Sequence, residues 1–255
     1  MNVLRLTAVG AWRSSLEQWS WRSFMITLVL NQAIGPLVGL LVWTAVDPTS
    51  RPIRVYFFIL LAVQLLTVSY EDHTLCASIF DGTITNRLML PQPVIADLAG
   101  TNVALRFWHT LFGLPILTIV GVAVGVHIHP LYLLIAVPAV VIAGALRFVF
   151  TITLAMSAFW TQRATAMVAL GNTVIALLGG LAAPLFLLPG QVSSIGRLLP
   201  IWPMLGLPAE IAAGTLSAHQ VVTAYITAVI WLVLLTAAAA LVWRRGLHTF
   251  TAVGA

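Results

Sequence analysis

Lysine is absent from this 255-residue chain, and all 12 basic residues are arginine. Neither the lysine of a phosphate-cradling Walker loop nor a Schiff-base lysine is available, so any nucleotide hydrolysis belongs to another chain. Charge of either sign is scarce: 7% of the residues are charged, against roughly 25% in an average soluble domain. Cysteine is limited to Cys76, which excludes an intrachain disulfide and a cysteine-built zinc site. The net charge of +5 is carried by dispersed arginines, and their spacing does not make a nucleic-acid surface. Apolar residues are what the chain has in excess. At 60% hydrophobic and a mean hydropathy of +1.03, it reads as an all-α, multi-pass membrane protein, and a soluble enzyme is excluded.

A span needs about 20 mostly apolar residues, and six windows qualify: 23–46, 55–80, 107–126, 131–160, 164–188 and 221–243. The second is apolar through Tyr70 and then meets Glu71, Asp72 and His73. The third and fourth are separated only by His127-Ile128-His129-Pro130, which predicts an antiparallel hairpin. Residues 1–22 lack an uninterrupted apolar run and do not read as a cleavable signal. Their Trp12, Trp19 and Trp21 suit an interfacial helix. With the N-terminus inside, Arg5, Arg13, Arg22, Arg87, Arg106, Arg163, Arg244 and Arg245 fall on the inner side and Arg51, Arg54 and Arg197 on the outer side. That asymmetry favours both termini in the cytoplasm, and the expected location is a cell membrane of bacterial inner or plasma-membrane type. The chain is a single membrane domain over 1–255, without internal repeats.

Two connecting segments carry more than topology. Residues 81–105 open on Asp81-Gly82, continue as one short amphipathic helix through Arg87-Leu88, and stop at Pro91, a shape suited either to docking on a partner or to joining two spans. Residues 189–220, broken by Pro200, Pro203 and Pro208 around Glu210, suggest half-helices re-entering the outer leaflet or an amphipathic lid. Gly179-Gly180 followed by Pro184 is the hinge expected before that loop.

Glu71 and Arg147 each lie about 24 Å along their spans from the outer end, counted at 1.5 Å per residue. An intramembrane pair of Arg147 with Glu71 or Asp72 is the expectation, because an arginine at the bilayer centre costs about 2.5–3.5 kcal/mol on insertion scales and seeks a partner. The competing arrangement has Arg147 snorkelling to the surface. His127 and His129 are too isolated to make a metal site, and no nucleophile, base and acid come together, so the chain is not expected to be an enzyme.

These segments resemble the permease subunits of ABC exporters of the ABC-2 family, in its six-span branch. Asp81-Gly82 through Arg87-Leu88-Met89-Leu90-Pro91 is similar to that family's Gly-led cytoplasmic stretch ending in Leu-x-x-Pro, and Ala158-Phe159-Trp160-Thr161-Gln162-Arg163 to its Phe-Trp and basic residue after the fourth span. Pro184-Leu185-Phe186-Leu187-Leu188-Pro189-Gly190, with Leu199-Pro200 and Leu207-Pro208-Ala209-Glu210, resembles its outer loop, and Trp243-Arg244-Arg245-Gly246-Leu247-His248 its tail. The chain departs from the pattern at Leu90-Pro91, where the family commonly has Arg-Pro, and in the charges of its second and fourth spans. The resemblance implies a permease that forms the substrate path and pairs with a second permease, identical or related. It also implies coupling, through Asp81, Gly82, Arg87, Leu88 and Pro91, to a separate ATPase subunit that binds the ATP and Mg. No cofactor or metal is implied in this chain, and membrane lipid is its other partner. An ion-gradient-driven transporter or channel is the alternative, with Glu71, Asp72 and Arg147 as relay groups.

Overall fold

The structure, a computed structural model, describes Trp12, Ser15, residues 22–90 and residues 93–249. Among these residues all regular structure is helical. Helices α1 (Arg22–Val46) and α2 (Arg51–Leu66) are joined by a turn in which Asp47 Oδ1 accepts from the Thr49 N–H at 3.2 Å and from its hydroxyl at 2.9 Å. After α2 the chain leaves the helix at residues 67–70, resumes as a π-helical turn at Asp72–Cys76, and continues through α3 (Ala77–Phe80) and α4 (Ile84–Leu88). There follow α5 (Val94–Val124), α6 (Pro130–Ala155, prolonged by a 3-10 turn, Met156–Phe159), α7 (Ala164–Leu178), α8 (Gly190–Leu198), α9 (Gly206–Ala213) and α10 (Ala218–Thr249).

The α5–α6 hairpin follows from its turn residues. Gly125 adopts φ +61°, and the Val126 N–H reaches back to Gly121 O at 3.1 Å, closing α5 in a Schellman cap. Pro130 then starts α6, where His129 Nδ1 accepts from the Leu131 N–H at 3.3 Å.

Among the described residues four helices are long and apolar enough to cross a membrane: Met25–Val46, Val94–Val124, Pro130–Phe159 and Ala218–Thr249. The windows expected at 55–80 and 164–188 are not continuous helices. The first is broken after Leu66, and the second ends at Leu178, followed by Gly179-Gly180 and a 3-10 turn at Leu185–Leu187. Helices α2 and α7 have 16 and 15 residues. At 1.5 Å rise they reach about 24 and 22 Å, short of the roughly 30 Å of hydrocarbon. The helix expected at 107–126 already begins at Val94, so 94–105 of the expected cytoplasmic segment is the first part of α5. The expected interfacial helix lies outside the described residues, except that Ser15 Oγ accepts from Trp108 Nε1 at 2.8 Å on α5.

Helix α2 is the innermost element: Tyr56, Phe57, Leu60, Leu61 and Leu65 are at most 1% exposed. It packs on α1, α5 and α9, and α9 also lies against α6. Every residue from Ile201 to Ala212 is buried, so the outer segment folds inward between α2 and α6. A second core of Leu75, Ile79, Ile84, Leu98, Met156 and Val168 fixes α3 and α4 against the start of α5 and the end of α6.

Candidate functional site: a helix break around buried charges

The break after α2 places polar backbone and side chains in the middle of an apolar bundle, where each must find a partner. Four elements supply them. Arg106 of α5 donates from Nε to Val68 O at 3.0 Å, inside the break, and from Nη2 to Gly144 O at 2.8 Å on α6. Gly144 makes that seat possible, since a Cβ there would stand 2.7 Å from Arg106 Nη1. Gly144→Ala is therefore expected to cost about 1–3 kcal/mol of stability by displacing the clamp. In an Arg106→Ala background the same change should cost almost nothing further, and thermal melting of the four proteins checks this.

Arg147 is 3% exposed and donates from Nη1 to Thr67 Oγ1 at 2.8 Å and to Gln64 Oε1 at 3.1 Å. Gln64 Nε2 donates to Gln32 Oε1 of α1, and Gln32 Nε2 to Tyr70 Oη at 3.1 Å. Glu71, 1% exposed, accepts from Ser69 Oγ at 3.1 Å, Thr74 Oγ1 at 2.8 Å and Asn102 Nδ2 at 3.0 Å. The two halves meet where Ser69 Oγ and Thr151 Oγ1 lie 3.0 Å apart, Thr151 also bonding Arg147 O at 2.8 Å.

Arg147 and Glu71 thus belong to one network, but the expected ion pair of Arg147 with Glu71 or Asp72 is not formed among the described residues. Arg147 neither snorkels nor meets a carboxylate; its charge is held by neutral oxygens. Asp72 faces His73 instead, at 3.5 Å. A cavity of about 150 Å³ opens beside the cluster, lined by Tyr70, Glu71, Thr74 and Asn102 and by the apolar Met25, Leu28 and Leu105.

The other expected groups lie apart from this one. At one end of the bundle, Gly179 and Gly180 pack on Leu205 and Gly206 at the start of α9. Glu210 of that helix is fully buried, with Oε1 accepting from Trp202 Nε1 at 3.3 Å and Oε2 3.7 Å from Arg197 Nη2. The Arg197 guanidinium also lies over the Trp202 ring, 5.7 Å from its centroid. Pro184 precedes the Leu185–Leu187 turn, and Pro200 separates α8 from Trp202. At the opposite end, Asp81 closes α3, Gly82 turns with φ +72°, and Arg87 pairs with Asp97 at 3.0 Å. Ile84 is the buried anchor of α4, while Leu88, Met89 and Leu90 are exposed. Pro91 lies outside the described residues.

A family model described as ABC-2 family transporter protein matches residues 18–254, nearly the whole chain. The chain belongs to the ABC-2 transporter family. Comparison with curated proteins and with solved structures returned no match. As an ABC-2 protein with four apolar spans it is a multi-pass membrane protein, and permeases of this family work with ATP-binding subunits.

The network members missed from sequence include the amides Gln32, Gln64 and Asn102, the guanidinium of Arg106 and the hydroxyls of Thr67, Ser69, Tyr70, Thr74 and Thr151. Gln32 and Gln64 carried a signal, being amides inside apolar windows. Arg106 was read as a flank of the third span because a hydropathy window stops at charge, and Asn102 lay outside every window.

Proposed function

We propose that this chain is the membrane-spanning permease of an ABC exporter, forming the substrate path and coupled to a separate ATPase that binds ATP and Mg. The family match over nearly the full length carries this reading. In it, α2 with the break and α3 forms a discontinuous second span, α7 with the Leu185–Leu187 turn forms the fifth, and Trp202–Ala213 is the re-entrant part of the outer loop. Discontinuous helices are what transporters place at the midplane, where unwound backbone faces protein or cavity. Two permeases, identical or related, enclose the path, and both termini face the cytoplasm, in keeping with the arginine asymmetry.

The ATPase contact is the Asp81–Pro91 segment. Ile84 anchors it in the second core, and the exposed Leu88, Met89 and Leu90 are the apolar groups it offers to a partner. Closure of the ATPase dimer around ATP moves this segment, and α5, which follows it, transmits the shift toward its own Asn102 and Arg106, the residues that bond the break. Switching between 1:99 and 99:1 populations needs about 5.5 kcal/mol of differential binding, which nucleotide must supply.

The tagged protein, purified from native membranes in mild detergent, is expected to bring down a P-loop ATPase with vanadate-sensitive hydrolysis. Scrambling Asp81–Pro91 should lower that recovery at least about tenfold, equivalent to the loss of about 1.4 kcal/mol of binding. A preparation from membranes that preserve partners, with neither ATPase nor hydrolysis, overturns the reading. The buried Glu71 at a broken helix is what a gradient-driven transporter would use, and that outcome moves such a transporter forward.

A further inference from the structure

Where the ends of α6 and α10 diverge, a cavity of about 240 Å³ remains on the flank of the bundle. It owes its existence to small residues. The run Ala237-Ala238-Ala239-Ala240 leaves α10 without bulk opposite Phe148 and Ile152 of α6, and Ile95 of α5 closes the side. The walls offer almost nothing to a polar ligand, because the Thr236 hydroxyl is spent on Leu232 O at 2.6 Å. At one end only, the slot meets Trp243 and Arg244.

That end is rigidly placed. Gly246 is buried against Phe159, where a Cβ would come within 2.2 Å of the ring, and Trp243 meets the same ring edge-on at 5.8 Å. Arg244 and the adjacent Arg245 are exposed, and neither has an ion pair among the described residues. On α5, Asp97, two residues beyond Ile95, is engaged by Arg87. An apolar slot that ends at a tryptophan and the exposed guanidinium of Arg244, with the exposed Arg245 next to it in the chain, complements one kind of ligand: a hydrocarbon chain with an anion at one end.

We propose that this slot holds one acyl chain of an anionic phospholipid, with the lipid phosphate on Arg244 and Arg245. Thr236 to Arg244 spans about 12 Å at 1.5 Å per residue, so the slot takes the upper part of the chain directly beneath a headgroup at interface depth. The leaflet is the one at the C-terminal end of α10, the cytoplasmic one under the orientation proposed above, where anionic lipid attracts basic side chains. Because Ile95 lies in the first turn of α5, the lipid sits beside the segment assigned to ATPase contact.

The test is lipid retention. Protein reconstituted in nanodiscs containing equal amounts of dioleoyl phosphatidylglycerol and dioleoyl phosphatidylcholine is extracted and its bound lipid counted by native mass spectrometry. Wild type is expected to retain phosphatidylglycerol over phosphatidylcholine by about fivefold or more per arginine, from roughly 1 kcal/mol for each surface Arg. Arg244→Gln should reduce the preference about fivefold without disturbing the fold. Ala240→Trp should fill the slot and remove bound lipid of both kinds, and Arg54→Gln, at the other end of the bundle, should leave the preference intact. Equal retention of the two lipids by wild type, or an undiminished preference in Arg244→Gln, overturns the proposal. The readout needs no ATPase and no transport, and a symmetric nanodisc makes it independent of orientation. Protease access to a C-terminal tag in intact cells tests the orientation separately.

Discussion

Arg147→Glu is expected to abolish accumulation of the protein in membranes, and a second change, Glu71→Arg, is expected not to restore it. A direct ion pair would tolerate the exchange; this network does not, because each site is built for one sign. Arg147 is bonded to acceptors, Gln64 Oε1 and Thr67 Oγ1, the latter with its own hydrogen committed to Val63 O at 2.7 Å, and the neighbouring Arg106 guanidinium is committed to Val68 O and Gly144 O. A carboxylate there meets oxygen on both sides, in a place excluded from water. Around Glu71 the groups are donors from Ser69, Thr74 and Asn102, and a guanidinium would bring donors to donors. Leaving such charges buried without a partner costs about 3–5 kcal/mol each, a large share of a typical 5–15 kcal/mol of stability. Glu71→Gln keeps an acceptor for Ser69 and Asn102, and the Thr74 hydroxyl can turn to accept, so it should cost only about 1–2 kcal/mol. Membrane yield by fluorescence size exclusion, with melting temperatures where protein survives, reads all three variants. Recovery of more than half the wild-type yield in the double charge swap would establish a direct pair and refute the network.

The same cluster shows where sequence reasoning reached and where it stopped. Turn residues alone placed the α5–α6 hairpin. The break at residues 67–70 left no such trace. Leu65-Leu66-Thr67-Val68-Ser69-Tyr70 contains neither proline nor glycine, and nothing local ends the helix there. What permits the break is tertiary: Arg106, from a helix 38 residues away in sequence, satisfies the freed carbonyl of Val68, and Gly144 on a third helix makes room for it. The direct pairing of charges failed as an expectation for a related reason. Two charges at equal depth must be neighbours only if nothing neutral fills the space between them, and here serine and threonine hydroxyls do. The extent of α5 was misread because hydropathy marks where a helix enters lipid, whereas Pro93 at its cap, with ψ 127°, marks where the helix begins. At the outer end, prolines and Glu210 announced an irregular segment, but not that Ile201–Ala212 would be buried against the innermost helix.

That burial makes the Gly179-Gly180 turn the most constrained backbone in the outer half, and Gly180→Ala is the substitution there with the largest expected effect. Two independent costs combine. Gly180 adopts φ +102°, a conformation that side chains with a Cβ rarely enter, and a Cβ at this position would stand 2.1 Å from Tyr56 Oη. Tyr56 is fully buried on α2 and cannot swing away without giving up its hydrogen bond to Gly180 O at 2.9 Å. Backbone strain of about 1–3 kcal/mol and a clash in a packed core of about 1–3 kcal/mol together predict a loss of about 10 °C in melting temperature. The clash and the strain separate in a double-mutant cycle. Tyr56→Phe alone costs about 1–3 kcal/mol by leaving Gly180 O buried without a donor, yet it removes the atom that obstructs the new methyl. Gly180→Ala should therefore be less damaging in the Tyr56→Phe background by about 1–2 kcal/mol, the strain remaining and the clash gone. Gly190→Ala, where a Cβ would meet nothing within 4 Å and φ is ordinary, is the neutral reference. If the two changes add without coupling, Tyr56 does not press on the turn, and α2 does not hold the hinge that leads into the outer segment. If they couple as expected, Tyr56 is the latch through which the broken span and the inward-folded α9 are tied at one point. Loosening that latch should then raise proteolytic access to residues 189–200 without releasing the polar network around Arg147.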